Sequence, residues 1–212
     1  VTFITFEGPE GAGKSTQIAG LTDRLRKRGH EVTATREPGG APEAEALRAL
    51  LLDPERQWSQ ESEALLMYAA RDAHIRQTIA PALAAGRVVL CDRFHDSTEA
   101  YQLSIGSELL AALKTSIVKR PPDLTILFDL PVETGLERAA HRGAADRFEA
   151  KGVDYHRAVR ERFLEIARRE PRRIAVIDAS LPVEAVTKEV AAVVNARLPG
   201  LLDEADGHPP AT

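Results

Sequence analysis

The segment "GPEGAGKS" (8–15) narrows the folds open to this chain more than any other stretch. A glycine-rich loop of GxxxxGKS outline works only between a strand and a helix. Its glycines turn successive backbone N–H groups inward on an anion, and the helix N-terminus adds positive potential. Both neighbours are legible here. "VTFITFE" (1–7) is β-rich and mostly apolar, while Ile18, Leu21 and Leu25 recur at helical spacing up to Gly29. Gly8, Pro9, Glu10, Gly11, Ala12, Gly13, Lys14, Ser15 and Thr16 therefore form a candidate ATP-binding loop. Lys14 would reach the β- and γ-phosphates, and the Ser15 hydroxyl would bind Mg2+. A chance glycine turn is the competing reading, and it leaves the flanking strand and helix unexplained. The loop alone specifies nucleotide binding, not a reaction. It also poses a question, because Glu10 puts a carboxylate at the midpoint of an anion cradle.

Four more strand candidates follow: "EVTATRE" (31–37), "RVVLCDR" (87–93), "LTILFDL" (124–130) and "RIAVIDA" (173–179). The last three are nearly continuous apolar runs, the mark of strands buried on both faces. Helical stretches lie between them. One has Leu47, Leu50 and Leu51 on a side, one covers about 60–84, and one repeats Val159, Phe163, Ile166 and Ala167. A last helix carries Val186, Val190, Val193 and Val194. The alternation predicts an α/β fold, a five-stranded parallel sheet flanked by helices on both faces. One domain over residues 1–198 is expected, and the polar, Pro- and Gly-rich residues 199–212 are expected to be a disordered tail.

Composition removes several function classes. There are 28 Lys plus Arg against 32 Asp plus Glu in 212 residues, a net charge of −4. No overall basic field exists for a nucleic-acid duplex. No apolar run reaches the length of a membrane span. Cys91 is the single cysteine, which fits a reducing compartment, and neither a secretory signal nor an internal repeat is visible. A cytoplasmic protein is expected. The six histidines show no metal-ligand spacing.

In parallel sheets, ligands bind beyond the carboxyl ends of the strands. Asp92 and Arg93 close the third strand candidate. The carboxylate is placed to hold Mg2+ and the guanidinium to grip phosphate, although a local ion pair is an alternative. Arg36 precedes a stiff "EPGG" turn. Arg48 and Arg71 lie in helices, where each either turns inward or is a solvated surface residue. Arg138, Arg142 and Arg147 surround Gly143 in "LERAAHRGAADRFE" (136–149), which reads either as a lid over transferring phosphates, about 138–150, or as a basic helix end.

"FEGPEGAGKST", "TREPGG", "LLMYAARDAH", "DRF", "STEAYQ", "PPDLTILFDL" and "DRFE" stand in the order and spacing of one family, from about Phe3 to Leu198. The chain resembles the thymidylate kinases. The resemblance implies a P-loop kinase fold, a homodimer, and transfer of the γ-phosphoryl group of ATP to dTMP, with Mg2+, giving dTDP for dTTP synthesis. It implies that Glu10 faces the 3′-hydroxyl of the acceptor, which would answer the question the loop poses. Arg93, Arg36 and Arg48 would lie near the acceptor phosphate, and Asp92 would be linked to Mg2+. Arg71 and Thr98 would meet thymine, and Tyr101, with Gln102 beside it, would exclude a ribose 2′-hydroxyl. Positions 9–12 hold no Arg, so the resemblance is to the bacterial type whose lid supplies the catalytic arginines, here Arg142 and Arg147, alongside Lys14 and Arg93.

The chain departs from the family pattern at three places. Met67 stands where Phe usually stacks on thymine, Phe94 where Tyr or His usually follows "DR", and Leu103 where Gly usually follows "AYQ". The rival readings are a P-loop kinase for another small acceptor and a nucleotide-dependent switch. A GTPase-type switch would carry a guanine-reading NKxD, which the sequence lacks.

Overall fold

A computed structural model of the chain describes residues 1–141, 148 and 151–202. The strands β1 (Phe3–Glu7), β2 (Val32–Arg36), β3 (Val88–Asp92), β4 (Leu124–Asp129) and β5 (Ile174–Asp178) pair in parallel, in the order β2-β3-β1-β4-β5. Side chains alternate across the strands, so each central strand feeds two cores. Ile4 and Phe6 of β1, Val88 and Leu90 of β3, and Ile126 and Phe128 of β4 point to one face. There they meet α1 (Lys14–Lys27) and α9 (Val183–Arg197) through residues such as Leu21, Leu25, Val190 and Val194. On the opposite side, Leu127 joins Phe163 and Ile166 of α8 (Val153–Arg169) and Tyr101 of α5 (His95–Tyr101). Phe3, Val89 and Cys91 pack with Ile79 and Leu83.

The three central strands are buried up to their last residues, where Asp92 and Asp129 are half-buried, but β5 is not. It ends the sheet, and Val176 is 45% exposed. An apolar run fixes a strand but not its place in the sheet. The helical stretch at 60–84 is one rod built of α3 (Gln60–His74), a π-helical turn (Ile75–Ile79) and α4 (Ala80–Ala84). It begins where the Ser59 hydroxyl accepts the Ser62 N–H at 3.2 Å, an N-cap. The helices α2 (Pro42–Leu52), α6 (Ser107–Ile117) and α7 (Val132–Ala140) complete the described chain. The sequence reading did not isolate α5 and α6. Each is short, and α6 buries none of its residues.

The chain beyond Leu198 does not leave the domain at once. Leu201 and Leu202 are buried in the core under α9, and the Leu201 carbonyl meets His30 Nε2 at 3.1 Å. Two adjacent leucines gain more by burial than the Pro-Gly bend before them costs. Residues 203–212 of the expected tail lie outside the described residues.

Register aligns the ends of the strands. Phe6 stands opposite Asp92, and Asp92 opposite Arg36. The connections leaving β1 and β3 run to helices on opposite faces, α1 beside α9 and α5 beside α8. Such a divergence opens a crevice at the carboxyl edge of a parallel sheet.

Candidate active site

A cleft of about 450 Å³ lies in that crevice. The loop between β1 and α1 forms one wall, and Lys14 starts the helix behind it. The Lys14 ammonium is buried and donates to the carbonyls of Gly8 at 3.1 Å and Pro9 at 3.0 Å. Burial, helped by the nearby charge of Arg93, pushes its pKa from 10.5 down to about 8, against the pull of Glu10, Asp92 and Glu7. The folded protein thus holds this proton less tightly than the unfolded chain. Keeping the charge costs stability at neutral pH, and the cost is relieved as pH rises from about 8 toward 10.5. For binding the sign reverses, because a neutral Lys14 gives phosphates no charge. The expected kcat/KM for ATP falls above about pH 8, roughly tenfold per unit, and Lys14→Arg removes that limb. A pH–rate profile of both proteins checks this.

The loop is seated on bare backbone. Gly11 adopts φ 71°, and a Cβ on it would lie 2.0 Å from the Gly135 carbonyl oxygen. A Cβ on Gly135 of α7 would lie 2.5 Å from the Glu10 carbonyl oxygen. Only two glycines allow loop and helix to approach so closely. Gly135→Ala is expected to cost about 1–3 kcal/mol through overpacking and to raise KM for ATP as the loop is displaced. Thermal melting and initial rates measure the two effects.

Arg93 occupies the centre of the cleft. Its Nη1 donates to the Gly8 carbonyl at 3.0 Å and to Ser97 Oγ at 3.2 Å, and its Nη2 donates to Glu10 Oε1 at 2.5 Å. Burial works against its charge, but Glu10, Tyr101, Asp92 and Glu7 together hold its pKa well above the ordinary value. Glu10 also accepts from the Tyr101 hydroxyl at 3.1 Å, and the Tyr101 ring lies 5.1 Å from the guanidinium. The electrostatic conflict posed by Glu10 is therefore relieved inside the protein, by Arg93. The sequence expectation had turned that carboxylate toward an acceptor sugar; it does line the cleft, beside both partners.

Asp92 Oδ2 accepts from Ser15 Oγ at 3.1 Å, while Asp92 Oδ1 is buried with no hydrogen-bond partner among the described residues. A hydroxyl and an unsatisfied carboxylate oxygen beside a P-loop suit Mg2+, which takes few protein ligands and keeps waters and phosphate oxygens. No group of three His, Cys, Asp or Glu able to cage a metal occurs among the described residues.

The other wall presents Arg71. It is buried, turned inward, and held by Glu37 Oε2 at 2.8 Å, the Phe94 carbonyl at 3.0 Å and Thr98 Oγ1 at 3.0 Å. Its Nη1 has no partner among the described residues. A buried donor left unsatisfied is costly, so its retention in a cleft wall points to a ligand. Met67 and Tyr101 line the same compartment. Gln102 donates to Glu63 at 3.1 Å, and its own carbonyl oxygen is unpartnered among the described residues. Arg36 reaches the cleft edge but pairs with exposed Glu45 at 3.0 Å, a surface contact of small energy. Arg48 donates to the Pro38 carbonyl at 2.7 Å beside it.

Among the described site candidates, all but Gly8 and Pro9 line this one cleft, and those two hold Lys14 and Arg93 through their carbonyls. Arg142 and Arg147 lie outside the described residues. Arg138, at the start of the expected lid, belongs to α7, reaches the cleft, and donates to the Ala179 carbonyl at 2.9 Å. Sequence reasoning missed Glu7, Glu37 and Ser97. Glu37 accepts from both Arg71 and His74, at 2.8 and 3.1 Å, and so orients Arg71. The one available signal was a carboxylate at the end of an apolar strand.

The thymidylate kinase family model matches residues 6–190. A thymidylate kinase of Caulobacter vibrioides is 55% identical over 201 residues, covering 92% of this chain and 97% of the relative. One of Pseudomonas putida is 51% identical over 210 residues, covering 97% and 100%. The crystal structure of thymidylate kinase from Ehrlichia chaffeensis superposes with a TM-score of 0.75 at 32% identity, over 92% of this chain and 98% of that one. The likeness runs along nearly the full length in both sequence and fold, and the chain belongs to the thymidylate kinase family.

Proposed function

We propose that this protein transfers the γ-phosphoryl group of ATP to dTMP, giving dTDP and ADP. One observation carries the reading: a single cleft joins a P-loop to a second compartment walled by Arg71, Thr98 and Tyr101, with Arg93 between them. A nucleotide switch needs the first wall only. Lys14 exchanges the carbonyls of Gly8 and Pro9 for ATP phosphate oxygens. Arg93 and the nearby Arg36 and Arg48 take the acceptor phosphate, while Arg71 and Thr98 meet the thymine edge and Met67 packs on its ring. Tyr101, fixed by Glu10 and by Phe148 and Phe163, fills the space a ribose 2′-hydroxyl would need.

An oxygen of the acceptor phosphate forms a bond to the γ-phosphorus, and the bond from that phosphorus to the bridging oxygen of ADP breaks. The attacking oxygen is already anionic, so no general base is required. Positioning and charge neutralisation carry the catalysis. Mg2+, held by Ser15 and Asp92, would add charge neutralisation at the phosphate oxygens. The P-loop supplies no Arg at positions 9–12, and the resemblance to the lid type of the family gives that role to Arg142 and Arg147. Replacing either by Ala is expected to lower kcat at least about tenfold while KM for dTMP changes less, because a contact made only in the transition state appears in kcat. Steady-state kinetics of both single variants and the double variant checks this.

A homodimer accords with the apolar side chains left on two packed helices, Leu65 of α3 at 51% and Leu109 of α6 at 37% exposure. No described helix is long and apolar enough to cross a membrane; a cytoplasmic role in dTTP synthesis is part of the same proposal. Chromatography of a mixture of protein, ATP, Mg2+ and dTMP tests the proposal. dTDP and ADP should appear one for one; ADP without dTDP would overturn it.

A further inference from the structure

We propose that Glu7 is a positioning residue for the acceptor phosphate, acting through Ser97 on Arg93. This rests on the reading of Arg93 as the acceptor-phosphate contact. Glu7 ends β1 and is 1% exposed. Its Oε1 accepts the N–H groups of Phe94 at 2.7 Å and Ser97 at 3.3 Å, and its Oε2 accepts the Ser97 hydroxyl at 2.5 Å. The Ser97 oxygen in turn accepts from Arg93 Nη1 at 3.2 Å. One carboxylate therefore holds both the backbone that follows Arg93 and the hydroxyl on which its guanidinium rests.

Arg93 needs such a hold. It has φ 68°, the only positive φ on a non-glycine residue among the described residues. An Arg prefers other backbone regions, so the conformation persists only where its surroundings over-determine it. The Phe94–Glu7 bond fixes the chain immediately beyond the strained residue.

Mere core packing does not account for a carboxylate here. Burial and the neighbouring charge of Asp96 push the Glu7 pKa up to about 7, against Ser97, Arg93 and Phe94. An apolar side chain at the end of an apolar strand would avoid that cost. What it could not do is accept three hydrogen bonds that converge on residues 93–97.

The test compares dTMP with thymidine, the same ligand without phosphate, by titration calorimetry. Wild type should bind dTMP more tightly than thymidine. Glu7→Gln and Ser97→Ala should each weaken dTMP about tenfold, as expected for loss of a hydrogen bond to a charged group, and leave thymidine within about twofold. Ser97→Thr, which keeps the hydroxyl, should stay near wild type. The double variant should be no worse than the weaker single, because both act through one chain of bonds. Circular dichroism establishes that each variant is folded; if Glu7→Gln is not, Ser97→Ala and Ser97→Thr decide alone. Equal losses for dTMP and thymidine in folded variants, or no loss for either, overturn the proposal. If wild type holds both ligands equally, the acceptor-phosphate reading of Arg93 fails and takes this inference with it.

Discussion

Arg93→Ala is expected to lower kcat/KM for dTMP by about 10³-fold, because the cation that grips the acceptor phosphate and the partner of Glu10 are lost together, with a smaller effect on KM for ATP. Two losses combine. The cleft loses the cation between its walls, and Glu10 loses the partner that sits 2.5 Å from its carboxylate. Breaking a largely buried pair costs about 3–5 kcal/mol because the remaining charge stays behind. Here that charge is negative and faces two incoming polyanions. Arg93→Lys separates the contributions. Lysine keeps the charge, but a single ammonium cannot span Gly8, Ser97 and Glu10 as the planar fork does. It should recover only a minor part of the activity. A folded Arg93→Ala protein with near-normal kcat/KM for dTMP would remove this residue from the mechanism.

Glu10→Gln is the second large effect expected. The amide keeps the size of the side chain and removes its charge. Hydrogen bonds to charged groups contribute roughly 1.5–3 kcal/mol, so kcat/KM for dTMP should fall about 10–100-fold. KM for ATP should change little or decrease, since a negative charge leaves the P-loop. Its origin can be resolved with 3′-deoxy-dTMP. If the carboxylate also receives the 3′-hydroxyl, wild type loses much of its activity on the deoxy analogue and the variant loses far less. Equal losses in both proteins would confine Glu10 to the contacts present in this structure, with Arg93 and Tyr101.

How far the sequence carried each element follows from how local its determinants are. The strand–loop–helix at the N-terminus is set by neighbouring residues, and β1, the glycine loop and α1 lie where periodicity puts them. The parallel sheet was legible from alternation alone. The exposed edge position of β5 was not, because strand order is a matter of long-range pairing. Arg71 was undecided between cleft and solvent. Its burial depends on Glu37, thirty-four positions away, a pairing that leaves no mark in a helical period. Glu7 was read as part of a strand, and only the fold brings Ser97 to it. Leu201 and Leu202 were hidden by the polar composition around them. The resemblance supplied expected roles for Thr98 and Tyr101, and named the phosphate that Arg93 would meet, which periodicity could not.

The central claim is that one cleft brings ATP and dTMP together, and a coupled ADP-release assay with ATP and a panel of nucleoside monophosphates tests it most directly. At equal concentrations dTMP should be the fastest acceptor and dUMP slower, for want of the methyl group that Met67 and its neighbours would enclose. UMP should be very poor, because its 2′-hydroxyl would meet the fixed ring of Tyr101. AMP, CMP or GMP turned over well above dTMP would contradict the account.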